Sequence, residues 1–142
     1  MKTFAIVLFW VACATAQPME STLQGRLPAR WWRQATMAEK LGLTADQQKR
    51  MEDNFQQSRV KLIELNASVD KEEAVLEPLV AAERPDEAKI RVQIDRIAQA
   101  RAELEKANAN MLLGVRMILT SKQWKKLQDS GGVGPRPRNV AK

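Results

Sequence analysis

Histidine and tyrosine are absent from this chain, and cysteine occurs once, at Cys13. Without histidine, the commonest general base and the commonest metal ligand are both missing. Cys13 lies in an N-terminal leader. Once that leader is cut, the chain has no disulfide, no thiol nucleophile and no thiolate metal site. Glycine and proline are scarce, six each in 142 residues, and aromatics make up 5%. So few turn residues and β-formers exclude a sandwich or barrel. The composition that remains is 44% hydrophobic and 28% charged. It suits one small all-α domain that binds other molecules, with no cofactor and no catalysis. The adjacent carboxylates Glu72-Glu73 and the pair Glu103 and Glu105 fall on polar helical faces and read as solvated surface.

Residues 1–16 read as a secretory signal peptide. Lys2 supplies the positive start, Phe4 to Val11 the short apolar stretch, and Ala14-Thr15-Ala16 the small-x-small cleavage pattern. That stretch is too short to anchor in a bilayer. Ala12 before Cys13 leaves a lipoprotein signal as the alternative, against which Trp10 stands. The expected location is the periplasm. The formal net charge of +6 is concentrated at the ends, since residues 34–128 hold sixteen basic against fifteen acidic residues. A balanced body is a poor nucleic-acid surface. The basic ends allow at most peripheral contact with anionic lipid.

Residues 17–28, broken by Pro18, Gly25 and Pro28, read as an irregular arm. Residues 29–41 form a short helix stopped by Gly42. A long helix follows Thr44 and reaches about Glu83, with Phe55, Leu62, Val69 and Leu76 seven apart and Met51, Leu65 and Leu79 on the alternate seam. Ser58 and Glu72 interrupt that seam, and Ile63, Val75 and Val80 widen the stripe. Pro78 predicts a kink or a short break. Arg84-Pro85-Asp86 stops this helix and caps the next, Glu87 to Ile118, whose buried face reads Ile90, Ile94, Ile97, Leu104, Met111, Leu112, Val115 and Ile118. A short helix over 121–128 follows, and residues 129–142 form a basic, disordered tail. The two long helices, roughly 60 and 50 Å, must fold back as an antiparallel hairpin. Their stripes are too wide for two helices to cover. A homodimer, or the short N-terminal helix laid across the hairpin, would cover the excess.

Two segments share the pattern L-T-x-x-Q: Leu43, Thr44 and Gln47, and Leu119, Thr120 and Gln123. Each is a capping box, in which the threonine hydroxyl accepts from the glutamine amide and the glutamine side chain returns to the threonine amide. In an antiparallel hairpin both lie at the same end. On these residues the sequence, over roughly 30–128, resembles the LTxxQ-motif family of periplasmic stress proteins, the Spy/CpxP-like and heavy-metal-resistance group. The resemblance implies an all-α fold, often a curved antiparallel dimer that holds unfolded clients without ATP. Some relatives restrain or inform an envelope stress sensor, and some bind metal through histidines, which this chain lacks.

The partners implied are unfolded polypeptides or a folded sensor domain. Candidate contact residues are Lys49, Arg50, Arg59, Lys61, Arg91, Arg96 and Arg101, long-stemmed cations set among aliphatic side chains. Trp31 and Trp32, between Arg30 and Arg33, are candidates too. On a helix, adjacent residues point about 100° apart, so one ring is expected on the hairpin and the other toward a second copy or a client.

Overall fold

The computed structural model describes residues 19–23 and 27–131; the expected signal peptide and the tail from residue 132 lie outside them. The elements are α1 (Met19–Leu23), a 3-10 turn (Trp31–Arg33), α2 (Ala35–Leu41), α3 (Ala45–Ala81), α4 (Glu87–Ile118) and α5 (Ser121–Asp129). Among the described residues there is no strand. No described helix is long and apolar enough to cross a membrane. The all-α hairpin is thus as the heptads require, with α3 and α4 lying along each other from end to end.

Three local expectations are corrected. The stretch read as an irregular arm contains α1, which lies against α4. The single helix expected over 29–41 is split at Gln34, whose backbone is extended. Arg30 initiates the 3-10 turn from the left-handed region, at φ 56°. Helix α3 runs through Pro78 to Ala81 without a break. Pro78 is exposed and near the last turn, so it removes one backbone bond and its ring meets solvent.

The heptad seam is real but differs in detail. In α4 one row of buried and half-buried positions runs Ile90, Gln93, Ile97, Ala100, Leu104, Ala107, Met111, Gly114 and Ile118, alternating by three and four, and Leu112 and Val115 are buried beside it. Gln93, at 3% exposure, takes the place expected of Ile94, which is 50% exposed. The amide of Gln93 donates to the backbone carbonyl of Glu72 at 2.8 Å and to its carboxylate at 2.7 Å. Glu72, one of the interruptions of the α3 seam, is therefore partnered by Gln93 on α4. Ile63, Val75 and Val80, read as widening the stripe, stay exposed.

Burial is concentrated at one end. Trp31, Trp32, Leu41, Met51, Val115, Leu119 and Leu127 form the core, with Leu27, Met37, Leu43, Phe55, Ile118 and Trp124 against it. This is where α3 begins and α4 ends. There Gly114 lets the long helices approach closely: a Cβ on it would stand 2.5 Å from the side-chain oxygen of Asn54. Asn54 in turn donates to the Met111 carbonyl at 2.8 Å. Gly114→Ala should therefore displace Asn54 and cost about 1–2 kcal/mol in urea unfolding, because the lost bond and the strain outweigh alanine's helix propensity. Adding Asn54→Ala should relieve the strain and recover that part of the loss, the bond itself staying lost. A Gly114→Ala protein more stable than the parent would show the approach to be slack.

Candidate interaction surface and the clasp beneath it

The two L-T-x-x-Q segments meet. Gly42, at φ 64°, ends α2 in the left-handed conformation that the sequence predicts there. It turns the chain so that Thr44 caps α3. The Thr44 hydroxyl accepts from the Gln47 amide at 3.1 Å, and Gln47 Oε1 accepts from the Thr44 amide at 3.0 Å. Thr120 and Gln123 repeat this on α5 at 3.2 and 2.9 Å. The glutamines then bond each other. Gln47 Nε2 donates to Gln123 Oε1 at 2.8 Å, and Gln123 Nε2 donates to Gln47 Oε1 at 3.0 Å. Each spare N–H goes to the residue before the other motif: Gln47 to the Ile118 carbonyl at 3.1 Å, Gln123 to the Gly42 carbonyl at 3.2 Å. Both amides thereby use two donors and two acceptor positions, the full capacity of a glutamine. The arrangement has approximate two-fold symmetry, and Met51 and Leu127, eight residues past each motif leucine, are both fully buried beneath it.

Trp31 and Trp32 are not a divided pair. Both are buried, at 3% and 2% exposure, which corrects the expectation that one would face outward. The 3-10 turn sits within the cluster formed by α2, α3, α4 and α5, so rings on either side of it find cover. The two indoles meet edge to face at 6.0 Å, and Trp32 meets Phe55 in the same manner at 6.1 Å. The Trp32 N–H donates to Glu52 at 3.2 Å. Arg30 lies over the Phe55 ring and forms an ion pair with Glu52, to which Gln56 also donates at 2.9 Å. These contacts hold Arg30 in its left-handed conformation. The Glu52 carboxyl is brought down to about 2. Partial burial alone would raise it, and the hydrogen bonds from Gln56, Arg30 and Trp32, with the charge of Arg30, overcome that.

The candidate contact cations all lie on the exposed faces of α3 and α4. The structure does not gather them into one site. Lys49 pairs with Asp53 at 2.6 Å, which raises the Lys49 ammonium above its ordinary value. Arg50 faces Asp46 and Lys61 faces Glu64, each at 4.0 Å, and Arg91 faces Glu87 at 2.6 Å. Arg101 reaches across the hairpin to Glu73. Arg59 and Arg96 have no ion pair among the described residues. Between these charges stand exposed aliphatic side chains, Val60, Ile63, Val75, Val80, Val92 and Ile94. Near the α3–α4 turn, Val75, Leu79, Val92, Lys89 and Arg96 line an open groove of about 370 Å³.

This is a helical hairpin pinned at its base by paired L-T-x-x-Q motifs, with an amphipathic surface along its length. The chain belongs to the heavy-metal resistance family, whose model matches residues 3–126. No curated protein and no solved structure matches it. Histidine is absent, and among the described residues no three cysteine, aspartate or glutamate side chains converge.

Two outcomes follow from the base. Gln47→Ala and Gln123→Ala should each cost about 2 kcal/mol, since each removes half a capping box and strands the other amide. The double variant should cost clearly less than the sum, and simple additivity in a double-mutant cycle would disprove the reciprocal bond. Glu52 titrates below its ordinary value of 4.5, so its contribution is complete above pH 4.5 and fades as pH falls toward 2. Urea midpoints between pH 7 and pH 2 should show the parent losing on the order of 1 kcal/mol more than Glu52→Gln, a figure reduced for solvent screening. Parallel curves would exclude the ion pair as a stabilising contact.

Proposed function

We propose that this protein is exported to the periplasm and works there as an ATP-independent, non-catalytic stress protein that holds unfolded or partly folded polypeptides. The observation that carries this reading is the surface of the hairpin away from its base. Aliphatic side chains that a monomer of this size would bury stand in solvent, interleaved with Arg59, Lys61, Arg91, Arg96 and Arg101. Long aliphatic stems with charged heads give adaptable contacts to sequences of no fixed pattern. A homodimer, with two hairpins presenting their faces together, would cover part of the excess stripe and widen the surface. The family's description by resistance to heavy metals supports a role under stress. In the second reading the same surface meets one folded domain of an envelope stress or metal-response sensor.

The test is suppression of light scattering from an acid-unfolded client by the purified protein. Stoichiometric protein should suppress aggregation, less so at high salt, and Arg59→Glu/Arg96→Glu should reduce protection several-fold with the urea midpoint unchanged. No protection at one dimer per client overturns the holding role. A pulldown from envelope extract yielding one stoichiometric partner, rather than many, supports the sensor reading in its place.

A further inference from the structure

The far half of the hairpin is built differently from its base. Between residues 56 and 107 the buried hydrophobic residues are Val69 and Ile97, and neither is as fully enclosed as Met51 or Leu127 in the base. The seam leucines there, Leu62, Leu65, Leu76 and Leu104, are only half-buried. On either side of Leu104, α4 offers Ala100 and Ala107 at the seam positions, side chains too small to fill it. The next position is filled by the polar pair Gln93 and Glu72. Pro78 withholds one backbone donor from the last turns of α3. The one side-chain ion pair across this half, Arg101 to Glu73, is solvent-exposed and adds little. By contrast the base holds both tryptophans, Met51, Leu119 and Leu127, and the glutamine clasp. A helix pair of the far half's length, with so little apolar area removed from water, is held mainly by its attachment to the base.

We infer that the hairpin is two cooperative units: a stable base closed by the Gln47–Gln123 clasp, and an arm, from about residue 58 to residue 105, that opens on its own while the base stays folded. Opening frees the half-buried leucines of both helices and lets Arg59, Arg91, Arg96 and Arg101 change their spacing. A rigid hairpin would hold those cations in one pattern; an opening arm presents many. The use of this motion in holding clients rests on the function proposed above, but the motion itself does not.

Amide hydrogen exchange of the purified protein alone tests it, so the result is independent of whether the protein holds clients. Amides in 60–80 and 88–104 should exchange about 100-fold or more faster than those in 48–55 and 111–118. Glu72→Leu/Gln93→Leu, which puts apolar side chains in the seam, should slow arm exchange about tenfold or more. Gln47→Ala should do the reverse, speeding the base and sparing the arm. Equal protection in both halves overturns the inference, and so does Gln47→Ala speeding both halves together.

Discussion

Everything in this fold hangs from two amide groups. A helical hairpin about 50 Å long has almost no interior of its own, so its register and its closure must come from one end. The Gln47–Gln123 pair supplies both. Each glutamine closes its own capping box, satisfies its counterpart, and reaches the carbonyl just before the other motif. A register slip along the seam would separate them and leave two partly buried amides short of partners, at about 1–3 kcal/mol for each unsatisfied group. Because the two motifs are related by approximate two-fold symmetry, one short pattern, used twice, encodes the whole closure.

Around that clasp the sequence spends its largest side chains. Trp31 and Trp32 fill the space where five elements converge, and truncating a buried tryptophan typically costs about 3–5 kcal/mol. Arg30, Glu52 and Gln56 then fasten the 3-10 turn to the first turns of α3. Farther out the seam thins to alanine, serine and a glutamine–glutamate pair. The same chain is therefore over-determined at one end and under-filled at the other, and its exposed aliphatic side chains fall mainly in the under-filled half.

The sequence made the hairpin legible because its signals are local or strictly periodic. Heptads placed both long helices, Arg84-Pro85-Asp86 placed the turn, Gly42 placed the end of α2, and the threonines placed two helix starts. That the motifs would share one end followed from antiparallel topology alone. Their direct bond was not legible, since a capping box consumes only half of a glutamine and nothing in the spacing says where the rest goes. The tryptophans were misjudged for a related reason: a helical wheel assumes 100° per residue, and a left-handed arginine starting a 3-10 turn breaks that assumption. Gln93 was missed because an apolar neighbour, Ile94, competed for the seam. The three-and-four spacing through Gln93, Ile97, Ala100, Leu104, Ala107 and Met111 carried the signal, and reading by position instead of by polarity would have found it.

The family's description and this chain's own donor set fit together on a physical basis. Soft metals act on thiolates and imidazoles, and binding to them couples directly to whether a protein stays folded. A chain without histidine, whose one cysteine stands at position 13, offers such ions very little to seize. Its stability rests mainly on amide pairs, indole rings and aliphatic contacts. The base stays closed through contacts of this kind, while the arm, with fewer of them, is free to adapt.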